Sequence, residues 1–95
     1  EILGEIYFVQ GRYQDSANTF HEVLENNPAY LRARLWNAAA LVRAGSRDLA
    51  EWEIDEAVVA SPQLSLARLA FAFPFKDPRL QDAVLSALRH ANLPD

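Results

Sequence analysis

The stretch HEVLE, residues 21–25, comes nearest to a metal-binding pattern. A zinc protease helix would need a second histidine where Glu25 stands, because two imidazoles four residues apart share one helix face. His21 alone cannot hold a metal and reads as part of an exposed helix face. His90 falls in the last turn of a final helix, where a cation offsets the helix dipole. Five acids, Asp48, Glu51, Glu53, Asp55 and Glu56, stand together against Arg47. Paired carboxylates can do acid–base work. Asp48, Glu51 and Asp55, however, share a face by steps of three and four, the pattern of a solvated outer surface. That surface could also meet a basic partner. The three glycines, Gly4, Gly11 and Gly45, are too far apart for a phosphate loop, and no Ser/His/Asp order is convincing. The expectation is a non-catalytic chain with no cofactor and no metal.

The elements that carry these residues follow from composition and periodicity. The chain has 95 residues, 51% hydrophobic and 23% charged, which suits one small globular domain. Its net charge of −4 and scattered basic residues argue against nucleic acid. With no cysteine, disulfides and thiolate metal sites are excluded, and a cytoplasmic setting is expected. No apolar run approaches the ~20 residues of a membrane span, so no membrane partner is expected. The first residues already have helical spacing, which reads as a segment of a longer protein.

ARLWNAA, residues 33–39, returns as ARLAFAF at 67–73. The 34-residue offset extends along the chain. Gly4 aligns with Ala38 and Ala72, Gly11 with Gly45, and Ser16 with Ala50. Phe20 aligns with Ile54 and Leu88, and Pro28 with Pro62. Each period parses as two helices. Helices are expected over 1–10, 14–26, 30–44 and from Ser46 to about Ala60, with Gly11 and Gly45 as left-handed stops and Ser46 as a cap. A fifth begins at Ser65 and must end near Phe73, before Pro74. A sixth runs over about 78–91, with Asp77 as N-cap and Pro78 at its first position. No stretch alternates with period two, so no sheet is expected. The small residues Gly4, Ala38 and Ala72 leave room for close helix crossing, with Phe20 and Ile54 filling the space between hairpins.

LGEIYFVQGRYQDSANTFHEVLENNP resembles a tetratricopeptide repeat. Leu3, Gly4, Tyr7, Gly11, Phe20 and Pro28 fit that family's pattern, with Ser16 or Ala17 as the small residue of the second helix. Residues 29–62 depart from it, with Asn37 where the family prefers Leu and Arg34 at the usual tryptophan site. The resemblance implies an all-α, right-handed solenoid of about six helices. Residues 1–28 form the first repeat, 29–62 the second, and 63–95 a degenerate third hairpin with a capping helix. The tail PFKDPRLQDAVLSALRHANLPD is similar to the C-terminal end of bacterial proteins that join such repeats to an adenylate/guanylate cyclase domain. Asn92 replaces the Gly usual before Leu93-Pro94. Similar tails follow bacterial winged-helix regulators.

On this resemblance the first helices line a concave face. Glu1, Glu5, Phe8, Val9, Arg32, Leu35, Ala39, Val42, Arg43, Leu66, Leu69 and Phe73 project there. Some members of the family hold a peptide carboxylate with Lys, Asn and Arg at such places. Here the matching positions carry Glu1, Glu5, Leu35, Ala39, Leu69 and Phe73, so no carboxylate clamp is expected. The groove would instead be apolar, suited to an amphipathic helix or to self-association as a homodimer, with Arg32 and Arg43 orienting the partner. The last helix or upstream repeats could cover part of it. Trp52, off the main buried stripe, fits either an interface contact or packing against the 63–73 helix. The functional expectation is a protein–protein interaction or dimerisation module, the regulatory C-terminal region of a cyclase-type bacterial signalling protein. The alternatives are the sensor end of a winged-helix regulator and a small-ligand-binding helical module.

Overall fold

The computed structural model describes residues 2–66, 68 and 78–93. Among them five helices follow one another: α1 (Ile2–Val9), α2 (Tyr13–Asn26), α3 (Leu31–Arg43), α4 (Arg47–Ala60) and α5 (Pro78–His90). There is no strand among the described residues. The expected 65–73 helix is represented only by Leu66 and Arg68, which are helical. Its start is visible, since the Ser65 hydroxyl accepts the Arg68 N–H at 3.2 Å, an N-cap bond. The stop before Pro74 and the cap at Asp77 lie outside the described residues.

Glycine chemistry sets the two tight connections. After α1 the Gly11 N–H donates to the Phe8 carbonyl and the Arg12 N–H to that of Tyr7. After α3 the Gly45 N–H donates to Val42 and the Ser46 N–H to Leu41. Both are Schellman closures, which require a left-handed residue. Gly11 and Gly45 supply it at φ of 79° and 90°. Ser46 stands at the N-cap of α4, but its hydroxyl makes no cap bond. Its carbonyl accepts the Ala50 N–H at 3.1 Å.

These turns fold α2 back along α1 and α4 back along α3. In the first pair Phe8 meets Tyr13 edge to face at 5.2 Å, and Gly4 lies against Ser16 and Phe20 further along. The Ser16 hydroxyl donates to the Gly4 carbonyl at 2.7 Å, inside the protein. A Cβ built on Gly4 would sit 2.7 Å from the Phe20 ring, so this crossing tolerates no side chain. Phe20 continues across to the next pair and stacks on Trp36 at 5.7 Å, with 13° between the planes. Phe8 closes on the edge of the same indole at 5.4 Å. The rings thus join α1, α2 and α3.

Helix α3 is the centre, packed by α2, α4 and α5. Ala33, Leu35, Trp36, Ala38, Ala39 and Ala40 are all buried on it. Helix α5 brings Val84, Ala87 and Leu88 into the same core. The Cα radius of gyration is 11.8 Å, close to the ~12 Å of a compact chain this long.

Candidate functional site

Helix α1 has two unlike faces. Gly4 and Phe8 are buried, while Ile2, Leu3, Ile6 and Val9 are exposed at 76, 52, 46 and 66%. Ile2, Ile6 and Val9 follow steps of four and three, so they form one seam along the helix. With Glu5 and Gln10 they line a shallow depression of about 340 Å³. Glu5 is half-buried, and its carboxylate pairs with Arg32 of α3 at 3.5 Å. Of the residues expected on the binding face, Glu5, Val9 and Arg32 are therefore at accessible or half-accessible positions here.

The α3 part of that face is not open. Leu35 and Ala39 are fully buried, as are Phe8 and Leu66, so none of the four can line a groove. Val42 is half-buried against the core. Arg43 is exposed, but its Nη2 donates to the Ala83 carbonyl of α5 at 3.2 Å. Helix α5 carries an apolar stripe of Leu80, Val84 and Leu88, continued by Ala91. That stripe must be covered, and α3 is the helix it packs on. Glu1, Leu69 and Phe73 lie outside the described residues.

A polar cluster sits between α2, α3 and α4. Arg34 Nη1 donates to Glu53 Oε2 at 3.0 Å, with 16 and 8% of the two side chains exposed. Its Nη2 donates to the Pro28 carbonyl at 3.1 Å, so one guanidinium ties α4 to the turn between α2 and α3. Burial pushes the Glu53 carboxyl above the usual carboxylate range. The Arg34 charge, the Asn37 amide and His21 pull it back only in part. Asn37 is buried, and its Oδ1 has no hydrogen-bond partner among the described residues. Beside it opens a cavity of about 270 Å³, bordered by Gln14 and His21 of α2, Asn37 of α3, and Leu49, Trp52 and Glu53 of α4. Trp52 is 54% exposed at its rim, and the Arg34 guanidinium lies 6.0 Å over its ring.

Of the five acids on α4, Asp48, Asp55 and Glu56 are exposed. Glu51 is half-buried and pairs with Arg47 at 3.3 Å. Glu53 does not belong to that solvated surface. Its placement was readable from spacing, since it stands three residues after Ala50 and four before Ala57, on the buried stripe. Asn37, a lone amide within an apolar helix, was the second signal.

His21 is exposed and pairs with Glu25 at 3.3 Å, the i,i+4 contact that HEVLE allows. Among the described residues no three His, Asp or Glu side chains lie together as a metal site would need. No helix among them is long and apolar enough to cross a membrane. Compared with known proteins, the chain matches no family model, no curated protein and no solved structure.

Proposed function

We propose that the chain is a non-catalytic, tetratricopeptide-like interaction module that accepts an amphipathic helix on the outer face of α1. The observation that carries this is the exposed seam of Ile2, Ile6 and Val9 on a helix whose other side is core. The molecule also contains a template for the occupant. At the 34-residue offset Ile2 corresponds to Trp36 and Ile6 to Ala40 on α3. Trp36 and Ala40 are buried, and Phe20 of α2 stacks on Trp36. The face left open on α1 is thus the face that α3 gives to an amphipathic helix with a large apolar side chain. Binding there is helix-in-groove docking driven by apolar burial, with Glu5 and Arg32 at its edge. By the resemblance of its tail, the module serves as the C-terminal regulatory region of a bacterial signalling protein of cyclase or winged-helix type. Its partner is then a helical hairpin of the same or a second polypeptide.

The test places a second copy of residues 1–34 ahead of Glu1, preserving the register. Its α2 should cover the seam and raise the melting temperature. Ile6→Glu in the original copy should cancel that gain, yet leave the unextended 95-residue chain within about 0.5 kcal/mol of its parent, as exposed positions do. An unchanged melting temperature on extension would sink the proposal. So would an Ile6→Glu penalty equal in both chains. Sedimentation equilibrium of the unextended chain separates a second copy of itself from a different partner, because Ile6→Glu should dissolve any dimer that uses the seam.

A further inference from the structure

We propose that the cavity between α2, α3 and α4 binds a primary alkylammonium group, held at Asn37 Oδ1 and the Glu53 carboxylate with its carbon chain against Trp52. The cavity lies apart from the α1 seam, and the inference does not rest on the function proposed above.

Its first support is the orphaned acceptor. Asn37 is 2% exposed and Oδ1 has no hydrogen-bond partner among the described residues. Buried polar atoms without a partner are rare and costly, so a donor belongs beside this one. The second support is size. About 270 Å³ far exceeds the ~10–15 Å³ that holds one water, and it suits a group the size of a single side chain.

Charge then selects the donor. Among the described residues no lysine or arginine borders the cavity. Arg34 is taken by Glu53 and the Pro28 carbonyl, and the His21 imidazole on the wall by Glu25, which disfavours an anion. Glu53 supplies a buried carboxylate to the lining, which favours a cation over an anion. A primary ammonium is compact and carries three donors, enough for both Asn37 and Glu53. Ala17, Leu41 and Leu49 form the apolar part of the lining, which suits a short methylene chain. The Trp52 ring at the rim offers an apolar surface for that chain.

The probe is n-butylammonium chloride, titrated into the 95-residue chain while the Asn37 side-chain amide and the Trp52 indole are followed by NMR. Saturable shifts at both are expected with butylammonium, and none with n-butanol or butyrate. Asn37→Leu removes the acceptor and keeps the bulk. It should weaken binding at least tenfold, read at the Trp52 indole, with helicity unchanged. Glu53→Gln should weaken it as well. Tetramethylammonium has no N–H to give; equal binding of this ion would reduce the site to a ring contact and overturn the proposal. No shift at Asn37 with any probe would also overturn it, leaving a cavity that holds water alone. Nα-acetyl-lysine methylamide distinguishes the two sources of the group. Tighter binding than butylammonium assigns a lysine side chain of a protein, and weaker binding assigns a free amine. These readings do not involve Ile2, Ile6 or Val9, so they stand or fall separately from docking on α1.

Discussion

The pairs α1–α2 and α3–α4 share a ground plan and solve the same packing problem with opposite residue choices. In the first, the inner helix carries Gly4 and the outer helix Phe20, whose ring lies where a Gly4 Cβ would be. In the second, the corresponding positions are Ala38 and Ile54, both buried. The first pair thus combines a smaller inner residue with a larger outer one, and the second a larger inner residue with a smaller outer one. Hydrogen bonding follows the same trade. The Ser16 hydroxyl reaches the Gly4 carbonyl, whereas Ala50, at the matching position, is an apolar filler. Surroundings also separate the pairs. Helix α3 is covered by three helices, and α1 keeps an apolar face in solvent. The two pairs thus share the same glycine turn closure, while the elements packed around each decide which faces are free.

Breaking the crossing should give the largest effect. Phe20→Ala removes a fully buried ring that touches both Gly4 and Trp36, and should cost about 3–5 kcal/mol in urea unfolding. Gly4→Ala should cost about 1–3 kcal/mol, because the new methyl meets the Phe20 ring and buried overpacking is penalised on that scale. This is the reverse of the ~1 kcal/mol gain that alanine gives over glycine in an open helix. The comparison sharpens in a double-mutant cycle. In a Phe20→Ile background, which copies the second pair, the Gly4→Ala penalty should shrink by at least about 1 kcal/mol. Strictly additive penalties would mean that the two pairs do not share the complementary crossing described here.

A smaller effect separates the pairs by charge. Only the second contains a buried ion pair, Arg34 with Glu53. Burial holds the Glu53 carboxyl above its ordinary range, so the folded state binds that proton more tightly than the unfolded chain. The stability linked to this group is present below the unfolded pKa and is lost as pH rises through the folded one. The wild type should therefore lose stability relative to Glu53→Gln as pH rises upward from about 4.3, the ordinary glutamate value. Urea midpoints of the two proteins at pH 4 and 7 measure this. A relative gain for the wild type instead would mean that Arg34 outweighs burial.

Much of the fold was legible because its signals are local. Gly11 and Gly45 mark the turns, and the helix-period stripes place the five described helices within a few residues of their ends. The interior surprises are relational. Leu35 and Ala39 read as groove because they lie on a first-helix face. Both are core, on a helix that α5, far along the chain, packs against, and no local pattern states which helix an amphipathic segment will cover. Arg34 and Asn37 were visible as departures from the tetratricopeptide-like pattern, and Glu53 as an acid on an apolar stripe. That the three departures meet, one compensating another, is a fact of packing that only the folded chain displays.

The smallest predicted effect concerns the end of the molecule. Helix α5 closes as α1 and α3 do: the Asn92 N–H donates to the Arg89 carbonyl, and the Leu93 N–H to that of Leu88. Leu88 and Leu93 are both buried, the apolar contact that accompanies this closure. Asn92 takes the left-handed place at φ 70°, where Gly11 and Gly45 serve elsewhere. Asparagine tolerates this conformation better than other residues with a Cβ, and here its side chain adds a bond, Nδ2 to Glu51 Oε1 at 2.9 Å. Asn92→Gly relieves the φ but loses that bond, so the two terms should nearly cancel, within about 0.5 kcal/mol. Asn92→Ala loses the bond and keeps the strain, and should cost about 1–2 kcal/mol. If both variants cost the same, the bond to Glu51 rather than the backbone conformation governs this cap, and the closure of α5 differs in kind from those at Gly11 and Gly45.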